Sequence, residues 1–398
     1  MDLSAGLRRE PPVDLEEVGE DEALAARIRS EITANGPLTF ARFMELALYD
    51  PDGGYYRAAE PRPGRGGDFL TAPEAHPIFG QALANQLIEV WERLDRPAPF
   101  VVHEHGAGIG TLAEAILRRL EQARPELLAV LRYVPVEIDA RRLDAFGERL
   151  AAAGFADRIA PVGDDRPFTG VVLANEVLDA LPVHRVGVRD GALAERFVAL
   201  DVDGHLVDAW GTPSSPALGE RLRSDGVQLA EGQSAEICLA IDGWIADAVQ
   251  SLEQGLLLLV DYGAHARELY DAGRRPQGTV RAFVRHRVSN DLYDHIGRQD
   301  LTAHVDLTAL AAAAKAVGLA PVGETSQAEF LIGNGTEALL QEVQADPATT
   351  LAAYVELRSA LMRLIDPSGM GGFPVMAFGR AWPAGPPLAG FAYRGPGR

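Results

Sequence analysis

The stretch Phe100-Val-Val-His-Glu-His-Gly-Ala-Gly-Ile-Gly-Thr-Leu112 limits what this chain can become more than any other. An apolar run reaches an acid, Glu104, breaks into glycines at Gly106, Gly108 and Gly110, and continues into a segment predicted as a helix over 112–122. Glycines let a chain turn tightly and bring bare N–H groups against a ligand. The N-terminus of the helix behind them favours negative charge or a polar edge. The spacing is G-x-G-x-G, so the third glycine comes one residue early for a dinucleotide fingerprint. An acid ahead of the turn also suits a cationic or amino-bearing ligand better than a pyrophosphate. Both features tilt the reading from a dinucleotide toward S-adenosyl-L-methionine (SAM).

The surrounding pattern places that turn in an α/β fold. Helices are predicted over 22–33, 40–48 (capped by Thr39) and 77–94. Strands are predicted over 100–105, 132–138, 159–162, 171–175, 255–262, 319–323 and 373–382, with helices over 143–152, 235–252, 307–316 and 336–363. Alternation of this kind predicts a mostly parallel sheet covered by helices on both faces. From Val183 the period changes to two, with turns at Arg189-Asp-Gly191 and Asp203-Gly204, which predicts an inserted β-meander. Residues 263–300, rich in Arg and His, read as irregular, and the Gly/Pro-rich loop Arg62–Glu74 reads as a connector or a lid. The expected organisation is an acidic flexible leader over 1–21 and a helical cap with its loop over 22–95. A SAM-binding domain follows over 96–382, with insertions at about 183–234 and 263–304, and a flexible tail over 383–398.

Charge narrows the partners. A formal net charge of -20 argues against nucleic acid, whose phosphates demand a basic track, and against docking on anionic membrane. No apolar run approaches the roughly 20 residues needed to span a bilayer. Cys238 is the only cysteine, so no internal disulfide and no cysteine-based metal site can form. The N-terminus has neither an apolar signal core nor a basic amphipathic pattern, and a cytoplasmic enzyme is the resulting expectation. The sequence leaves room for a homodimer.

Position on the sheet nominates the site. Glu137 ends the second strand, where a carboxylate can take both ribose hydroxyls of a nucleoside, with Asp139 as its alternative. Ala174-Asn-Glu-Val-Leu-Asp-Ala-Leu-Pro182 follows a buried strand, so Asn175, Glu176 and Asp179 fall at the carboxyl edge, although capping would explain the first two as well. His304 stands among polar groups in Asp300-Leu-Thr-Ala-His-Val-Asp306, where Asp306 is the natural helix cap. His103 and His105 share a face opposite Glu104 and lack a companion ligand set, so no metal is expected.

Gly66-Gly-Asp-Phe-Leu-Thr-Ala-Pro-Glu74 with Phe79-Gly80, the glycine stretch and Ala174–Val183 together resemble the MidA family of class I SAM-dependent methyltransferases. That family includes the mitochondrial complex I assembly-factor arginine methyltransferase. Gly278-Thr-Val-Arg-Ala-Phe283, Asp300–Asp306 and Gly369-Met-Gly-Gly372 match as well, in the family's order. His105 departs from the apolar residue usual before the first glycine, a change expected to affect packing rather than cofactor choice. The resemblance implies a Rossmann-like sheet with an N-terminal helical cap. It implies that SAM is held by Glu104, the three glycines, Glu137 and Asn175, and that Gly67, Asp68 and Phe69 close over it. The expected reaction is methyl transfer to a protein arginine, a respiratory complex I subunit being one candidate acceptor. Glu176, Asp179 and His304 would face that acceptor, with Asp68 or Glu74 as helpers. A small-molecule methyltransferase on the same scaffold and a SAM-binding assembly chaperone without turnover are the alternatives.

Overall fold

A computed structural model describes residues 18–57, 71–160, 166–285 and 287–395. Six strands make the central sheet: β1 (Phe100–His105), β2 (Leu131–Val136), β3 (Phe168–Asn175), β4 (Leu252–Val260), β5 (Ala320–Ser326) and β6 (Pro374–Arg380). Their spatial order is β5-β6-β4-β3-β1-β2. β1 to β4 pair in parallel, and β6 is antiparallel to both of its neighbours. This is the α/β, mostly parallel sheet expected from the alternation and the Rossmann-like one that the resemblance implies.

The run Leu256-Leu-Leu-Leu-Val260 is continuously apolar because both faces of the sheet are covered. Leu256, Leu258 and Val260 pack with the helices Ile78–Arg93 and Thr111–Ala123, while Leu257 and Leu259 pack with Ala240–Ala248 and Leu307–Ala316. The helix Ala140–Ala152 adds Phe146 and Leu150 to the first face.

The period-two region forms a second, five-stranded sheet rather than a simple excursion. His184–Arg189, Ala192–Leu200 and Leu206–Gly211 make the meander, joined by Leu38–Thr39 from the N-terminal segment and by Ser234–Ile237. The helices Glu22–Asn35 and Phe40–Tyr49 share a core with Val183, Val198, Val280 and Leu301. The cap and the inserted segments are thus one packed body, whereas the helix Ile78–Arg93 packs on the large sheet.

Several local expectations are corrected. The helix expected over 235–252 begins as the strand Ser234–Ile237, all four residues buried, and turns helical only over Ala240–Ala248. The segment 263–300 is not irregular throughout: Arg281–Val284 pairs with Arg287–Ser289 and Asp300–Thr302. Ile159 makes a single bridge to Tyr133 instead of a strand, and 161–165 lie outside the described residues. The helix expected over 336–363 is broken at Asp346-Pro347 into Thr336–Ala345 and Leu351–Ile365.

The tail is the largest correction. Leu388 and Phe391 are buried in the main core, and Phe391 meets Phe330 edge-on at 5.5 Å. The N–H groups of Ala389 and Gly390 donate to Glu89 and Gln86 on the helix Ile78–Arg93. Gly and Pro content suggested coil, but two apolar side chains with satisfied backbone donors are enough to dock it. Phe391→Ala is expected to cost about 3–5 kcal/mol of stability, read by denaturant unfolding.

Candidate functional site

Four adjacent parallel strands end on one edge, and each delivers a polar group there: Glu104 from β1, Glu137 after β2, Asn175 and Glu176 from β3, and Asp261 after β4. In sheets of this type the carboxyl edge is where ligands bind. A cavity of about 680 Å³ opens on it, lined among others by Tyr49, Tyr56, Glu104, the turn Gly106–Ile109, Glu137 and Glu176.

The glycine turn is pinned in place before any ligand arrives. Gly106 and Ala107 donate to the Val136 carbonyl at 2.9 and 3.3 Å. Gly106 has φ of +69°, and a Cβ there would meet Val177 Cγ2 at 2.7 Å. Gly108 has φ of +53°, and a Cβ there would have only the Gly106 carbonyl at 4.0 Å, so the bare turn faces open space. Gly110 is the N-cap of the helix Thr111–Ala123. Glu137 closes the other side, its carboxylate accepting from the N–H groups of Gly108, Ile138 and Asp139 at 3.0, 2.8 and 3.2 Å. Asp139, the alternative acid, is committed elsewhere: it caps the helix Ala140–Ala152 and pairs with Arg141 at 3.0 Å.

Glu104 is 4% exposed and accepts from the Tyr133 hydroxyl at 2.7 Å. Burial pushes its carboxyl up to about 8. A cation bound beside it would favour the ionised form, so SAM binding is expected to release a proton and tighten as pH rises toward about 8. Titration calorimetry across pH 6–9 in buffers of different ionisation enthalpy checks this. Glu104→Gln should flatten the dependence.

Asn175 and Glu176 line this crevice too, and Asp179 follows one turn later. Glu176 accepts from Ala72 N–H at 3.2 Å and from the Asn175 amide at 3.1 Å, and burial pushes its carboxyl up to about 7. Glu176 also lines a second cavity of about 580 Å³, together with Asp179, Tyr262, Arg275, Asp300 and His304. Asp179 is 5% exposed and accepts from the Tyr262 hydroxyl; burial pushes it up to about 6. Asp300, fully buried, accepts from the Tyr56 hydroxyl at 3.0 Å on both oxygens. His304 lies edge-on to Tyr262 at 5.4 Å, and burial lowers its imidazole to about 4, leaving it neutral near pH 7. Asn175 Oδ1, Asp179 Oδ1 and His304 Nδ1 are buried without a hydrogen-bond partner among the described residues, three orphaned polar atoms around the two cavities.

The structure therefore brings Glu104, the glycines, Glu137, Asn175 and Glu176 around one cavity, and Glu176, Asp179 and His304 around the next. Glu74 also lines the first cavity, as part of a capping box with Thr71. Gly67, Asp68 and Phe69 lie outside the described residues. His105 packs against Trp244 at 5.2 Å, on the face away from Glu104. Sequence reasoning missed Tyr49, Tyr56, Asp261, Tyr262 and Asp300 as site residues. The rule that nominated Glu137 would have found Asp261, an acid directly after a buried parallel strand.

The crevice suits SAM. The turn leaves room a Cβ would fill, Glu137 offers two fixed acceptor oxygens to a ribose, and Glu104 offers a buried carboxyl to a cationic end.

Comparison with known proteins agrees. A family model for SAM-dependent methyltransferases matches residues 82–325. The Drosophila melanogaster homolog of the mitochondrial protein arginine methyltransferase NDUFAF7 is 30% identical, aligned over 92% of this chain and 87% of its own length. The Homo sapiens protein of that name is 27% identical over 86% of this chain and 79% of its own. A Burkholderia thailandensis protein whose crystal structure holds S-adenosyl-homocysteine superposes with a TM-score of 0.84 at 33% identity, covering 96% of this chain and 97% of that one. These relatives overturn the cytoplasmic expectation, since the curated ones are named as mitochondrial proteins. That expectation rested only on a missing leader pattern, which locates nothing by itself. With the family model spanning most of the sheet and relatives aligned over nearly the whole length, this chain belongs to the MidA-like family of SAM-dependent methyltransferases.

Proposed function

We propose that the methyl acceptor is an arginine side chain of a protein. The observation that carries this reading is the second cavity, which meets the cofactor crevice at Glu176 and gathers Glu176, Asp179 and Asp300 around one space. Two buried carboxyls and a half-buried one suit a planar cation with several N–H donors. The names of the relatives, protein arginine methyltransferases, point the same way. The overall charge of -20 also favours approach of a basic segment.

The cofactor supplies an activated methyl group. The chain's own task is to present a guanidinium nitrogen in line with it, and orientation of this kind is worth about 7–11 kcal/mol. A second task is charge. A guanidinium with pKa above 12 lies roughly six units from its neutral form at pH 7, or about 8 kcal/mol. Glu176 and Asp179 would localise the positive charge on the nitrogens away from the reacting one. They would also accept the proton that leaves as the N–C bond forms. Neutral His304 would orient a remaining N–H through its Nδ1, which has no partner among the described residues.

The test is incubation of the purified chain with tritiated-methyl SAM and a cell lysate, followed by acid hydrolysis of the protein fraction. Label in methylarginine is expected. Label confined to a small soluble product, or none, overturns the reading.

A further inference from the structure

Glu176 carries its side chain on an unusual backbone. Its φ is +51°, in the left-handed region that non-glycine residues rarely occupy. Such a conformation is strained and persists only where the surroundings enforce it. Here the enforcing group is identifiable. Glu176 N–H donates to the Val260 carbonyl at 2.8 Å. The next three N–H groups, of Val177, Leu178 and Asp179, converge on Asp261 Oδ2 at 3.1, 2.8 and 3.3 Å. Asp261 Oδ1 accepts from Tyr262 N–H at 2.8 Å, so both oxygens are spent on backbone. The residue is 5% exposed and lines neither cavity. It follows β4, whose Val260 is paired with Asn175 at the end of β3. Its neighbour Tyr262 donates its hydroxyl to Asp179. One dipeptide at the end of β4 therefore holds the backbone after Glu176 and the side chain of Asp179.

We infer that Asp261 is a positioning residue for methyl transfer: by gathering three N–H groups it enforces the turn that carries the Glu176 carboxylate to the boundary between the two cavities. The inference rests on Glu176 facing the acceptor, as proposed above. Asparagine in its place keeps only one acceptor oxygen, so it cannot serve both the three N–H groups and the Tyr262 N–H, and the Glu176 turn would relax toward an ordinary conformation.

The test uses the full chain and Asp261→Asn, with Asp261→Glu as a second variant that keeps the carboxyl but moves it by one methylene. Transfer of tritiated methyl from SAM into all lysate products is expected to fall about 100-fold, the scale of a small misplacement at the reacting centre. SAM affinity by calorimetry stays within about threefold, and amide hydrogen exchange over 176–179 accelerates. In a Glu176→Gln background the same Asp261 change costs less than about threefold, because the carboxylate it positions is gone. An equal loss in both backgrounds overturns the inference, as does a loss of SAM affinity matching the loss of rate. Unchanged exchange over 176–179 overturns it too. Because every labelled product is counted, failure of the arginine reading shows separately, as wild-type label outside methylarginine.

Discussion

Glu176→Gln is expected to lower the rate of methyl transfer by about 10²–10⁴-fold while SAM affinity moves less than about threefold. The magnitude follows from removing one partner of a buried charge pair, which costs about 3–5 kcal/mol. Glutamine keeps the shape and the hydrogen bonds from Ala72 and Asn175 but can neither carry charge opposite a guanidinium nor take its proton. The pH dependence gives a second signature. With its carboxyl pushed up to about 7, Glu176 is protonated in acid, so kcat/KM should fall as pH drops through about 7. That limb should vanish in Glu176→Gln.

Stability moves the other way. A carboxyl whose folded pKa lies above its unfolded value is most easily accommodated when protonated, so its contribution is lost as pH rises through about 7. Glu176→Gln should therefore raise the melting temperature, and more at pH 8 than at pH 5. A variant that gains stability while losing rate would mark Glu176 as a group kept for chemistry. Full transfer by Glu176→Gln with SAM still bound would refute the assignment.

Glu137→Ala is expected to weaken SAM binding by about 100-fold, read by calorimetry, with the melting temperature nearly unchanged. Hydrogen bonds to a charged group contribute about 1.5–3 kcal/mol each, and two are at stake if the carboxylate takes both ribose hydroxyls. Its aim is set in advance by the N–H groups of Gly108, Ile138 and Asp139. The variant would also release the Gly108 N–H, so the glycine turn loses a contact along with the ligand. Because Asp139 is occupied as a helix cap and by Arg141, it is poorly free to compensate, and Asp139→Ala should cost stability more than affinity. Unchanged affinity in Glu137→Ala would remove the ribose role.

Residues whose meaning is local were readable from the chain alone. The glycine spacing, the acids Glu104 and Glu137 at the ends of β1 and β2, and the caps at Thr39 and Asp306 depend on neighbours within a few positions, as do the boundaries of Leu307–Ala316. Residues whose meaning comes from distant partners were not. Tyr56 reaches Asp300 across 244 positions, and Ser234–Ile237 becomes a strand only because His184–Arg189 offers it an edge. Leu388 and Phe391 look like the end of a coil until the helix Ile78–Arg93 supplies acceptors for the backbone beside them.

What the amino-acid order determined by itself was the crevice: strand, turn and helix are contiguous, so a short stretch dictates both its backbone and its ligand preference. The second cavity was decided only in three dimensions. Glu176 with Asp179, Tyr262, and Asp300 with His304 come from three separate segments, and only burial in a common space raises the Glu176 and Asp179 carboxyls and keeps the imidazole neutral. Desolvation is a property of the folded surroundings, and no reading of neighbouring letters contains it.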